Sequence, residues 1–398
     1  MPLIRVLHTA DLHLGSSFSS FPGQAAGLQA DQLEMLARLT KFCAERQIQV
    51  LLIAGDLFDQ PLPPTKLVNT VASLFASIPE TEIFIAAGNH DPAFIDSPYR
   101  TFTWPANVHC FTDTLSFVDL SSMPISLPVR VYGTGFTATA AAYPLLPEGF
   151  SVAADHRLNL LVLHGELVSG AQNSDYNPVK RDQLAATGLN YTALGHRHAA
   201  TALLPLGAGY AAYSGCPLGR GFDETGVKSA RYLEFNFPDI VNAPDPTAYQ
   251  LESELIQFGG RRFVEHIIDS SGCETNQELA EIILNQLKAA ENSWQRDCHR
   301  IILRGSPDEG LSIEPFLLRQ YLDDHLFYLE IIDQTEPSLD LRVLSAENNL
   351  RGTFVRLAAE RVRQAEMAGE PGEAALAKRA LQLGLAAYAG EVKPNANR

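Results

Sequence analysis

Apolar residues in the first half of the chain fall into short unbroken runs. Between the runs they recur at helical spacing. Ile4–Leu7, Val50–Ala54, Glu82–Ala87, Asn159–Leu163 and Tyr191–Leu194 read as β-strands. Leu28, Leu33, Leu36, Leu39 and Phe42 keep a helical period and predict a helix over 24–47. Thr65–Ser77 predicts a second helix, opened by the proline pair before it. Shorter strands follow at Leu115–Leu120 and Val129–Gly133, and Ala230–Phe237 is expected to close this region at a sheet edge.

The pattern then changes. Pro238, Pro244 and Pro246, set among Asn and Asp, mark a linker over 238–258. Over 259–340, Phe263–Ile268, Arg300–Leu303 and Phe327–Ile332 read as strands, and Glu278–Ala290 and Ile313–Leu322 as helices. The remainder, 341–398, reads as helical and Ala-rich over 347–388, broken at Gly369–Gly372, with 389–398 expected to be disordered.

Each of the five early strands is followed at once by polar residues of one chemical kind. They are Asp11-Leu12-His13, Gly55-Asp56, Gly88-Asn89-His90-Asp91, His164-Gly165-Glu166 and Gly195-His196-Arg197-His198. Five strands of one sheet would bring these ends to one edge. Asp11, His13, Asp56, Asn89, His164, His196 and His198 then supply carboxylate, imidazole and carboxamide donors to one spot. That is more than one divalent ion takes, and it suits two ions sharing a carboxylate. Such a pair clamps the attacking and leaving oxygens of a displacement at phosphorus. Imidazole mixed with carboxylate argues against Ca²⁺ and Mg²⁺ and suits Mn, Fe, Co or Zn. A lone His on an apolar strand is ordinarily a core residue. His8 is read that way, and His109, His156, His266, His299 and His325, which lack motifs, are expected at surfaces.

The ordered motifs resemble the calcineurin-like metallophosphoesterase superfamily. Within it, His8–Gly15, Ala54–Asp59 and Tyr213–Glu224 are similar to SbcD-type DNA repair nucleases, and His164–Gly170 with Asn173–Pro178 to their YhaO branch. The resemblance implies an α/β fold: a two-sheet β-sandwich flanked by helices over 1–237, a small α+β cap over 259–340 and a C-terminal helical hairpin. It implies one ion on Asp11, His13, Asp56 and His198, the other on Asp56, Asn89, His164 and His196, with Mn²⁺ foremost. His90 matches a catalytic histidine that is not a ligand. Asp59 matches an acid that orients this ring and raises its pKa. Arg220 is a candidate phosphate contact, or a solvated loop residue. Asp91 and Glu166 are candidate supports of the ligands, and Asp91 reads equally as a turn or helix cap before Pro92.

The implied activity is hydrolysis of DNA phosphodiester bonds, as exonuclease, endonuclease or both, by metal-activated hydroxide, beside an SbcC-like coiled-coil ATPase. The alternatives are a phosphodiesterase or phosphatase for small phosphoesters, and a regulatory subunit that keeps metals without catalysis. The cap would help select substrate or serve only for docking. The C-terminal hairpin would dock on the partner's coiled coil or pack on the cap.

Charge complicates this picture. The net charge is −16, and the regions before and after residue 240 are both acidic, so neither offers the basic face that phosphate contacts ordinarily need. DNA is therefore expected to be gripped with help from the partner ATPase or from a second copy in a homodimer. Five cysteines fit neither a disulfide framework nor a zinc knuckle. No apolar run is long enough to span a membrane, and the N-terminus enters a strand without a secretory signal. A cytoplasmic protein is expected.

Overall fold

The computed structural model describes residues 3–120, 128–153, 157–169, 172–237, 249–290, 294–308, 310–322, 326–336 and 341–388. The segments 238–248 and 389–398, His156 and His325 lie outside the described residues. The chain divides into two compact units. One comprises Met1–His266, Ala290–Arg300 and Asp323–Glu330; the other comprises Ile267–Ala289, Ile301–Leu322 and Ile331–Arg398.

The first unit opens with β1 (Leu3–Thr9), α1 (Ala25–Arg46), β2 (Val50–Ala54), α2 (Thr65–Ala76), β3 (Glu82–Ala86), the single turn α3 (Pro98–Thr101) and β4 (Val108–Phe111). It continues with β5 (Ser116–Leu120), β6 (Val129–Gly133), β7 (Leu158–His164), β8 (Glu166–Val168), β9 (Pro178–Lys180), α4 (Arg181–Ala185) and β10 (Tyr191–Gly195). β11 (Leu204–Leu206), β12 (Gly209–Tyr213), β13 (Ala230–Asn236) and β14 (Gln250–Ile256) complete its two sheets. One sheet runs β14-β13-β1-β2-β3-β4, the other β11-β12-β10-β7-β6-β5.

These are the two sheets expected of the fold, but the five motif-bearing strands are split between them, three in one and two in the other, which corrects the reading that puts all five in one sheet. Apolar runs cannot tell the two apart, because every residue of β2 is buried on one face or the other. Val50, Leu52 and Ala54 face the second sheet with Val131, Leu160 and Ala193. Leu51 and Ile53 face α1 and α2 with Leu36, Leu39 and Phe75. On the outer side of the second sheet, Leu161, Leu163 and Leu194 pack on Leu184. The parallel strands β1, β2 and β3 end beside the parallel pair β7 and β10. The sheet ends come so close that a Cβ on Gly195 would lie 1.7 Å from the Ala54 carbonyl oxygen.

The sheet edge is not β13. Gln250–Ile256, within the span expected as linker, pairs along the whole of β13 as the edge strand β14. Its exposed Glu252 and Glu254 read as loop, yet charge is what edge strands carry against unwanted pairing.

Beyond it, β15 (Phe263–Asp269), β16 (Cys298–Arg304) and β17 (Tyr328–Asp333) form a three-stranded sheet, interleaved with α5 (Asn276–Ala290) and α6 (Pro315–Leu322). His266 and His299 are buried rather than at the surface, with His266 Nε2 3.1 Å from His299 Nδ1. Two neighbouring strands supply a partner that no local motif reveals. His109 is half-buried against Glu82. In the second unit α7 (Leu341–Ala346) is an additional helix that the sequence pattern does not predict, and α8 (Leu350–Met367) and α9 (Pro371–Tyr388) close on Val355, Leu381 and Leu385. Among the described residues no helix is long and apolar enough to cross a membrane.

Candidate metal centre

The loops after β1 and β2 clasp each other as they leave the sheet. The Asp11 N–H donates to the Gly55 carbonyl at 3.1 Å, and those of His13 and Leu14 donate to Asp56 and Leu57 at 2.9 Å. This pairing turns Asp11, His13 and Asp56 into the left-handed region, at φ 53°, 45° and 50°. Non-glycine residues there carry strain, so the surrounding structure must impose it. Two glycines make room for the candidate ligands. A Cβ on Gly55 would sit 2.2 Å from His164 Nδ1, and one on Gly88 2.0 Å from Asp56 Oδ1.

Asp56 lies at the centre. Its Oδ2 is 3.6 Å from His13 Nε2 and 3.5 Å from His164 Nε2, and its Oδ1 accepts from the His90 N–H at 2.9 Å. Asp11 Oδ1 is 3.7 Å from His198 Nε2, and the Asp11 carboxylate accepts from the His196 N–H at 3.1 and 3.2 Å. His164 Nε2 lies 2.9 Å from Asn89 Oδ1. The imidazole–carboxylate separations near 3.6 Å are too long for hydrogen bonds. They match two donors that share one ion at about 2.1 Å each.

The tautomers point the same way. His164 Nδ1–H donates to the Ala54 carbonyl at 2.8 Å, which leaves the Nε2 lone pair facing Asp56. His198 Nδ1–H donates to Glu224 Oε1 at 2.7 Å and leaves Nε2 facing Asp11. His13 Nδ1 meets Asp59 Oδ1 at 3.1 Å, and its buried Nε2 has no hydrogen-bond partner. A buried ring nitrogen without a partner is costly, and a bound cation would satisfy it. The donor set therefore fits divalent metal: Asp11, His13 and His198 form one cluster, Asp11, Asp56 and His164 another, and His13 and Asp56 a third that also takes in the His90 ring.

Electrostatics reflects the crowding. Burial, helped by the neighbouring Asp56 charge, holds the Asp11 carboxyl above the usual range. For Asp56 burial works the same way, but the imidazoles of His164 and His13 bring it below that range. Burial, with His164 close by, takes His196 down to about 4. His90 is also lowered, by burial first. Asp56 and Asp59 act in the opposite sense, Asp59 in the direction expected of it, but burial outweighs them.

Asp59 Oδ1 is 4.0 Å from His90 Nδ1 and closer to two other groups, His13 and Arg220 Nη1 at 2.9 Å. Arg220 does not stand free in its loop. It joins Asp59 to Glu224, whose Oε1 it meets at 3.0 Å. Asp91 caps no helix: its carboxylate accepts from the N–H groups of Gly88 at 2.9 Å and Phe58 at 2.8 Å and from the Tyr99 hydroxyl, so it ties the Asn89 loop to the Asp56 loop. Glu166 is 3.7 Å from Arg197 at the rim.

Sequence reasoning missed Glu224. It closes the Tyr213–Glu224 motif but lies 26 residues from the histidine it orients, and only the fold joins them. Burial opposes its charge, yet the His198 bond and Arg220 hold it down at about 2. Carboxylates behind metal-binding histidines typically contribute roughly 10- to 100-fold to metal affinity. Glu224→Gln is accordingly expected to weaken Mn²⁺ binding by about tenfold. Calorimetric titration checks this, and unchanged affinity would deny Glu224 the role.

Residues 4–200 match the model of the calcineurin-like phosphoesterase family. The metallophosphoesterase YhaO of Bacillus subtilis (strain 168) is 23% identical over 83% of this chain and 77% of its own length. The SbcD component of the SbcCD nuclease from the same organism is 26% identical over 56% of this chain and 64% of its own. The DNA double-strand break repair protein Mre11 of Saccharolobus solfataricus is 23% identical over 49% of this chain and 50% of its own. The chain thus spans about three quarters of the first relative and under two thirds of the other two.

Proposed function

From the premise that this chain carries a calcineurin-like metallophosphoesterase domain, we propose that it hydrolyses DNA phosphodiester bonds in DNA repair, as a Mn²⁺-dependent nuclease beside a coiled-coil ATPase. The observation that carries the reading is the convergence of carboxylates and imidazoles from five strand ends, with His90 standing at their open side. Its side chain is 45% exposed, and its ring lies 4.6 Å from that of His13. Two divalent ions, when bound, supply Lewis acidity and an activated water. Asp11, His13, Asp56 and His198 would hold one ion; Asp56, Asn89, His164 and His196 would hold the other. Asp59, Glu224 and the Ala54 carbonyl fix the ring planes. His90 delivers a proton to the leaving oxygen, and Arg220 holds the two supporting carboxylates together.

The names of the SbcCD and Mre11 relatives support DNA as substrate. The charge of −16 supports a shared grip, by the ATPase or a second copy. Exposed Leu350, Leu357, Met367 and Leu376 on the C-terminal hairpin support docking on an apolar partner helix. Five free cysteines suit a reducing cytoplasm.

The test is hydrolysis after rigorous chelation, with Mn²⁺ or Mg²⁺ restored, on linear duplex DNA, single-stranded DNA and bis-p-nitrophenyl phosphate. It is run with and without the ATPase. Mn²⁺ is expected to restore DNA cleavage well above the Mg²⁺ level, because Mg²⁺ prefers oxygen ligands. Turnover of the small ester with none of DNA, partner present, would move the assignment to small phosphoesters.

A further inference from the structure

Three of the four histidines assigned to metal are fixed by a hydrogen bond at Nδ1. His13 has Asp59, His164 has the Ala54 carbonyl and His198 has Glu224. His196 differs. Its backbone N–H is held by Asp11 and its φ is 99°, but among the described residues its ring makes no hydrogen bond. The Tyr176 ring lies over it instead, with centroids 4.7 Å apart and planes inclined by 32°. The His164 ring meets His196 only edge-on, at 5.4 Å.

Tyr176 is held firmly enough to serve as a support. The Ala141 N–H donates to Asp175 O, and the Asn177 N–H donates to Ala141 O, both at 2.7 Å. The Glu166 N–H donates to Tyr176 O at 2.9 Å. Asn177 is fully buried, at φ 46°, and donates from Nδ2 to the His164 carbonyl at 2.7 Å while accepting from the Leu145 N–H at 2.7 Å. A Cβ on Gly165 would lie 2.6 Å from Asn177 O, so glycine permits the close approach. The loop is thus anchored to the backbone of one ligand histidine and presents its aromatic ring to another.

We infer that Tyr176 is the positioning residue of His196, its ring stacking doing for this ligand what an Nδ1 hydrogen bond does for the other three. The inference rests on the two-ion reading above. Offset aromatic stacking restrains the plane of a ring without polarising it. A hydrogen bond restrains the plane and also raises ligand basicity. The ion that uses His196 is therefore the weaker-bound of the two, and its affinity depends on Tyr176.

The experiment is Mn²⁺ titration of the full chain, read by the electron paramagnetic resonance of free Mn²⁺, with the metal-free melting temperature recorded alongside. The wild type is expected to bind two ions in two phases. Tyr176→Ala should weaken only the weaker phase, by about tenfold, with an unchanged metal-free melting temperature, since the residue is 37% exposed. Tyr176→Phe keeps the ring and should titrate like the wild type. Overturning results are a Tyr176→Ala isotherm that superimposes on the wild type, equal weakening of both phases, or a Tyr176→Phe loss as large as that of Tyr176→Ala. A wild type that binds two ions yet cuts no DNA sinks the nuclease proposal and leaves this inference standing. A wild type that binds one ion overturns both.

Discussion

Asp56→Ala is expected to lose at least one equivalent of Mn²⁺ and to bring hydrolysis of every substrate close to background. Among the described residues Asp56 is the one side chain with an oxygen within 3.6 Å of both His13 and His164, the proposed ligands of different ions. Its other oxygen anchors the His90 backbone at 2.9 Å, so alanine also loosens the catalytic loop. Losing Lewis-acid stabilisation worth several kcal/mol predicts a drop of roughly a thousandfold or more. Misfolding is the obvious rival cause, and Asp56→Asn separates the two. Asparagine keeps the volume and one acceptor oxygen for the His90 N–H and removes only the charge, so the metal-free protein should keep a wild-type circular dichroism spectrum while losing the ion. Metal content by elemental analysis decides the matter. Full occupancy by two ions in Asp56→Ala would mean that the carboxylate does not bridge.

The candidate donor set is legible in the sequence because it is local: each donor closely follows a strand, and the strand ends do the convergence. The allotment of individual strands to the two sheets is not. A strand buried on both faces reads alike in either sheet, and only the packing of Leu52 and Ala54 on β7 and β10 separates them. β14 reads as linker because its alternation of Glu252, Ser253 and Glu254 is polar; pairing with β13 supplies what its side chains do not. Glu224 and Tyr176 share a different obstacle. Each acts on a histidine about twenty or more residues away through a contact that carries no periodicity, so nothing near His198 or His196 announces them. The loop that carries His90 is evident from its motif, but a pKa argued from one neighbouring acid, though right in that acid's direction, leaves out burial. Burial is the larger effect and has the opposite sign.

His90→Gln is expected to keep both ions and lose most DNA turnover, because the proposed ligand sets of the two ions are complete without its ring, although the ring lies close enough to His13 and Asp56 to share an ion with them. Its Nδ1 lies 4.0 Å from Asp59, and its backbone rather than its ring is bonded to Asp56. General acid catalysis contributes roughly 10²- to 10⁴-fold, and a nucleoside alkoxide leaving from DNA needs the whole of it. A nitrophenolate is stable without a proton and needs little. Proton donation therefore predicts a loss of about a hundredfold or more on DNA, with a much smaller loss on bis-p-nitrophenyl phosphate. If His90 instead stabilised charge on the phosphoryl oxygens, both substrates would slow together, since both pass through the same charged phosphorus centre. Metal analysis, kcat on DNA and kcat on the nitrophenyl ester, measured on one preparation, separate these cases. A variant holding fewer ions than the wild type would make His90 a ligand after all. Asp59→Asn sharpens the distinction: Asp59 sits 3.1 Å from His13 but 4.0 Å from His90, so its main loss should fall on metal affinity and not on the selectivity between leaving groups.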